Sequence, residues 1–141
     1  MYYPYLRGKQ FDLLALKEAL SRGLLSNKIH PVIEPVRDSA TLKNVIELFQ
    51  KKHHPIAVIQ NPQVGQFKLF DQHVHSWTVK EHSSVVSAQI LTPENLNDVL
   101  DSPPTFLVFD GQHYPKDAEV WKQLAGVDSK FLIPDASRFR I

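Results

Sequence analysis

The sequence predicts an α/β protein built of parallel β-α units, a partial (β/α) TIM-barrel-like domain, with an open doubly wound sheet as the alternative. Three observations lead there. Short runs of apolar residues recur along the chain, each closed by a polar residue or a proline. Helical patterns lie between most of them, and the runs are spaced mostly by about 25 to 30 residues, the length of a β-α crossover unit. Strands that are apolar throughout, rather than alternating, are strands covered on both faces.

Taken in order, the first strand is Tyr5-Leu6-Arg7, and a leucine- and alanine-rich helix is expected from Phe11 to Leu20. The second strand is Val32-Ile33-Glu34-Pro35. Its proline has no N–H to donate, so it ends the ladder and holds Glu34 extended. Ser39 then offers an N-cap, and Leu42, Val45, Ile46 and Phe49 fall at i, i+3, i+4 and i+7, the cleanest helix in the chain. Val58-Ile59-Gln60-Asn61-Pro62 is the third strand with its exit.

The stretch 67–86 breaks the rhythm. It alternates around Val74, Trp77 and Val79 and is read as an irregular insertion, either a hairpin or a loop with short helical turns. The fourth strand is expected at Gln89-Ile90-Leu91-Thr92-Pro93, with Thr92 capping a helix that starts at Pro93 and buries Leu96, Val99 and Leu100. Leu107-Val108-Phe109-Asp110 follows. A helix from about Lys116 to Ala125 buries Val120, Trp121 and Leu124 and stops at Gly126 as at a C-terminal glycine. Leu132-Ile133-Pro134-Asp135 is the last strand, which makes six strands and four helices.

Composition narrows the class. At 141 residues and 43% hydrophobic, the chain is expected to form a single domain over 1–141 with a sizeable core. A closed barrel usually needs about 200 residues or more, so the chain reads as the N-terminal portion of a longer barrel-like protein. Such a portion would leave an unpaired strand edge and favour self-association. The net charge of +1 gives no electrostatic footprint for nucleic acid or a membrane surface. Cysteine is absent, which excludes disulfides and thiolate chemistry and agrees with a reducing cytoplasm. No segment approaches the roughly 18 apolar residues of a membrane span.

Chemistry is expected where parallel strands end, because ligands of α/β sheets bind outside the carboxyl ends of the strands. The acids there, Glu34, Asp110 and Asp135, are the catalytic candidates; Arg7, Lys9 and Asn61 are the ligand-binding candidates. A carboxylate at a strand exit can accept hydrogen bonds from the loop, coordinate a hard cation or act as a general acid or base. The bland reading of each acid, a helix cap or a partner for a neighbouring arginine, carries the larger weight.

His73-x-His75 with His82 has a spacing that some zinc sites use, but no acid follows at a diagnostic interval and surface histidines explain it as well. His53-His54 reads as a helix C-terminal pair. With five glycines in the chain there is no nucleotide-binding fingerprint, and no nucleophile elbow occurs. Which cofactor the chain uses, if any, is unknown from the sequence.

The opening "YYPYLRGKQFDLLALKE", then "IHPVIEPV", "NPQVG" and "FLIPD", resemble the N-terminal part of a bacterial protein family related to the phage beta-protein family. The shared pattern is a tyrosine-proline strand, an acidic-leucine helix and a strand ending in Pro-hydrophobic-hydrophobic-Glu, matched by Tyr3-Pro4, by Asp12 to Leu16 and by Pro31 to Glu34. Arg7, Lys9, Glu34, Asn61, Pro62 and Gly65 are the positions that mark it. The resemblance implies a barrel-like parent longer than this chain and a mobile-element or defence setting, and it assigns no activity.

Three functional readings follow. The first is a non-catalytic module that binds a protein partner or assembles as a homo-oligomer. The second is a metal-dependent hydrolase, a phosphodiesterase or nuclease using the three acids with Mg²⁺ or Ca²⁺. The third is a nucleic-acid-binding module using Arg7, Lys9 and the N-terminal tyrosines, which the charge balance disfavours.

Overall fold

The computed structural model of the protein describes residues 1–37, 39–63, 84–110 and 115–133. Six strands run in the order β1-β2-β3-β4-β5-β6, and every pairing described is parallel. Sequential order without reversal means that each crossover advances the sheet the same way, as in (β/α) barrels. The doubly wound alternative requires a reversal of strand order, and this order has none. The chain divides into two compact units, Met1–Ser87 and Ala88–Ile141.

In the first unit, β1 (Tyr5–Gly8), α1 (Gln10–Ser21), β2 (Val32–Pro35), α2 (Ala40–Lys51) and β3 (Ile56–Ile59) form two successive β-α steps. Tyr5 to Gly8 pair with Val32 to Pro35, and Val32 and Ile33 with Ala57 and Val58. Side chains alternate across a strand, which sorts these residues onto two faces. Ile33, Ile56 and Val58 pack with Leu13, Leu16 and Leu20 of α1 and with Leu42, Val45, Ile46 and Phe49 of α2. Tyr5, Arg7, Val32, Glu34, Ala57 and Ile59 therefore occupy the face away from the helices. Val32, Ala57 and Ile59 are buried there too, which is why these strands read as continuous apolar runs.

The ends of both helices are chemically explicit. Ser39 caps α2 as its sequence position implies, its hydroxyl accepting from the Leu42 N–H at 3.1 Å. Helix α1 closes with Gly23 at φ 69°, Leu24 N–H donating to Ala19 and Gly23 N–H to Leu20. This is the paired hydrogen-bond pattern of a Schellman motif. Helix α2 repeats it with His53 at φ 53°: His54 N–H donates to Phe49 and His53 N–H to Gln50. The apolar contact that accompanies the motif is the edge-on packing of His54 against Phe49, ring centroids 5.3 Å apart.

In the second unit, α3 (Leu96–Asp101) follows β4 (Val85–Ile90), whose first three residues belong to the first unit. Then come β5 (Phe106–Val108), α4 (Ala118–Leu124) and β6 (Lys130–Leu132). Ala88 to Ile90 pair with Phe106 to Val108, which pair in turn with Lys130 to Leu132. Leu91, Val99, Leu107, Phe109 and Leu124 form the core, with Trp121 stacked on Phe109 at 5.2 Å.

Five details differ from the sequence reading. The fourth strand starts at Val85 rather than Gln89, so Val85 and Val86, the end of the stretch 67–86, belong to β4; residues 67–83 lie outside the described residues. Helix α3 starts at Leu96 rather than at Pro93: residues 93–95 form a turn in which Asn95 N–H donates to the Thr92 carbonyl and the Asn95 side chain accepts from the Thr92 N–H. Asp117, not a residue near Lys116 in general, caps α4 by accepting from the Glu119 N–H. Gly126 does not take a positive φ; among the described residues Gly23 and His53 do. The last strand is also more exposed than an interior strand, with Lys130 and Phe131 open to solvent.

Candidate functional site

Glu34 is the third residue of β2 and is only 2% exposed. Burying a carboxyl group without partners is costly, so its oxygens must be satisfied from within. They are. The Tyr5 hydroxyl donates to Oε1 at 2.7 Å, and the backbone N–H of Gln63, in the loop after β3, donates to Oε2 at 2.9 Å.

The strand register explains the first bond. Tyr5 and Arg7 share a face of β1, and Arg7 is the residue directly beside Glu34. Tyr5 lies two residues back, about 6.6 Å along the strand, a distance its ring spans by leaning toward the strand's C-terminal end. The second bond fixes the exit loop of β3. One carboxyl group on β2 thus links the first residue of β1 to the exit loop of β3.

Arg7 is half-buried beside Glu34, yet among the described residues no ion pair joins them. Asn61 is half-buried in the same exit loop, and its carbonyl accepts from the Gln63 side chain at 2.9 Å. Lys9 is exposed at the start of α1 and provides no side-chain cap. The first unit therefore gathers Glu34, Arg7 and Asn61 at the carboxyl ends of β1 to β3, and Lys9 follows β1 without touching that group among the described contacts.

Asp110 belongs to the second unit, two residues beyond β5, and is 8% exposed. It has polar or electrostatic contacts of its own. Thr92 is buried as well, and each follows the paired residues Ile90 and Val108 by two positions. The exit of β4 is held by Asn95, whose Oδ1 accepts from Thr92 N–H and whose Nδ2 donates to Ile90 C=O, both at 2.8 Å.

Asp135 lies outside the described residues, as do His73, His75 and His82. Among the described residues no cluster of three or more histidines and acids could hold a metal ion. No helix among them is long and apolar enough to cross a membrane. Sequence reasoning missed the partners of Glu34. Tyr5 carried a readable signal, its placement two residues before Arg7 on the same strand face; Gln63 carried none, since it donates through its backbone.

Comparison of the chain with protein-family models, with curated proteins and with solved structures found no match.

Proposed function

We propose that this chain is a cytoplasmic, non-catalytic module that assembles with a second copy of itself, in the mobile-element or defence setting that its resemblance to the bacterial relatives of the phage beta-protein family implies. The observation that carries this reading is on α1. Phe11 is 85% exposed and Leu14 is exposed one turn later, on the side of the helix opposite the buried Leu13, Leu16 and Leu20. Apolar side chains grouped on one helix face are what an association surface requires. The end strand β6 adds exposed Phe131, with Ile133 just beyond it. Glu34 speaks for the non-catalytic part of this reading, since both of its oxygens accept structural hydrogen bonds, from Tyr5 of β1 and from the exit loop of β3.

Light scattering on size-separated protein tests it. The wild type is expected to show a dimer that grows with concentration, and a Phe11→Lys, Leu14→Lys double variant with unchanged circular dichroism is expected to be monomeric. A wild type that stays monomeric at every concentration overturns the proposal.

A second reading, metal-dependent hydrolysis of a phosphodiester, has one observation in its favour. Glu34 and Asp110 are buried acids at the carboxyl ends of parallel strands, where α/β folds place ligand chemistry. In that case Arg7 and Asn61, beside Glu34 in the first unit, and Lys9 after β1 would hold the anionic substrate. Melting with Mg²⁺, Mn²⁺, Ca²⁺ or Zn²⁺ beside a Glu34→Ala variant separates the readings: a rise in Tm in the wild type that the variant lacks would favour the hydrolase.

A further inference from the structure

Thr92 buries a hydroxyl group that the fold leaves unused. The residue is 8% exposed and lies just beyond β4. Its backbone is engaged on both sides: Thr92 N–H donates to the Asn95 side chain, and Thr92 C=O accepts from Asn95 N–H. Its hydroxyl makes no hydrogen bond among the described residues. Burying a hydroxyl without a partner is costly, and native chains pair most such groups. Valine has the same branched shape without that cost, so the hydroxyl needs a reason outside the fold.

The strand register supplies its neighbour. Ile90 pairs with Val108, and the ladder runs on through Leu91, whose N–H donates to the Val108 carbonyl. Leu91 and Phe109 pack in the core with Val99, Leu107 and Leu124. Side chains alternate along a strand, so Thr92 and Asp110 share the other face at adjacent strand exits. Asp110 is buried as deeply as Thr92. It has contacts of its own, and a carboxylate with about four acceptor positions keeps room for one more donor beside them.

We propose that Thr92 and Asp110 form a binding site in the second unit for a neutral small molecule that presents two adjacent hydroxyl groups. A carboxylate only accepts, so the group facing Asp110 is a donor. The Thr92 hydroxyl both donates and accepts, and another hydroxyl uses both capacities where an ammonium uses one. Neighbouring strands stand about 4.8 Å apart. Hydroxyls on adjacent carbons can then reach one residue each through hydrogen bonds of about 2.8 Å. The carboxyl ends of parallel strands are where α/β folds hold ligands. The site is independent of the assembly surface on α1 and β6, and it uses Asp110 as an acceptor without a metal ion.

A residue kept for binding at the expense of folding leaves the empty chain less stable than it could be. Thr92→Val in the full chain is therefore expected to melt about 2–4 °C above the wild type, having shed an unpaired buried hydroxyl. Amide NMR supplies the second measurement. Erythritol titrated into the wild type is expected to move the Thr92, Asn95 and Asp110 resonances, and butanol, with the same carbon skeleton and one hydroxyl, to move them less. Thr92→Ser keeps a hydroxyl and is expected to keep the response; Thr92→Val is expected to lose it. A Thr92→Val variant that melts no higher than the wild type makes the hydroxyl structural and overturns the proposal. Erythritol that moves none of these resonances, or moves them equally in Thr92→Val, overturns it too, as does an equal effect of butanol.

Discussion

The Tyr5 hydroxyl and the Glu34 carboxyl group, 29 residues apart in sequence, meet at 2.7 Å inside the first unit. The bond joins the first residue of β1 to the exit end of β2, and Gln63 brings in the exit loop of β3. A buried acceptor stripped of its donor costs about 1–3 kcal/mol, so Tyr5→Phe is expected to destabilise the chain by that amount in urea unfolding. Glu34→Ala is expected to cost more, since it leaves a void and strands both donors. Glu34→Gln is expected to be the mildest of the three, because its amide can accept from Gln63 N–H while donating to the Tyr5 hydroxyl oxygen. A Glu34→Ala variant as stable as wild type would remove the structural role assigned to this group.

The two Schellman ends of the first unit predict opposite responses to mutation. His53 holds φ 53°, which costs a side chain about 1 kcal/mol or more that glycine does not incur. His53→Gly is therefore expected to stabilise the chain by about 1 kcal/mol. Gly23→Ala is expected to destabilise it by a similar amount, and through the backbone alone, because an added Cβ there meets no atom within 4 Å. Thermal melts of the two single variants measure both.

Asn95 holds the exit of β4 with a donor and an acceptor together. Asn95→Ala leaves the Thr92 N–H and the Ile90 carbonyl without that partner and is expected to cost about 1–2 kcal/mol. Asn95→Asp keeps the acceptor for Thr92 but turns a carboxylate oxygen toward the Ile90 carbonyl, so it is expected to destabilise as well. Amide exchange at Thr92 should accelerate in the alanine variant and less in the aspartate variant.

What could be read from the sequence was what local pattern controls. The apolar stripe of Leu42, Val45, Ile46 and Phe49 after Ser39 marks α2 and its cap, and both are present. The apolar runs ending at Glu34 and Asp110 mark strand exits, where both acids are buried. What local pattern could not supply was competition. Thr92 reads as the cap of a helix from Pro93, yet residues 93–95 form a turn closed by Asn95 N–H on the Thr92 carbonyl, and the helix begins at Leu96. The left-handed position after α2 is filled by His53 rather than glycine, and the next residue, His54, packs on Phe49 with its ring nitrogens beside the adjacent Pro55 carbonyl and the distant Ser26 carbonyl. Glu34 was legible as a position and not as a set of bonds, since one of its partners is a backbone amide with no signature in residue type.

The moorings of β3 and β4 carry a consequence for local opening. The chain leaves β3 through Gln63, fixed to Glu34, and re-enters at Ser84, whose carbonyl accepts from Ile56 N–H at 3.1 Å and whose hydroxyl donates to the Phe49 carbonyl at 3.2 Å. Both points are anchored on the same unit, so they serve as two posts between which β3 is strung. Loosening either post, by removing the Glu34 carboxyl group or the Ser84 hydroxyl, should soften one end of that strand before the other.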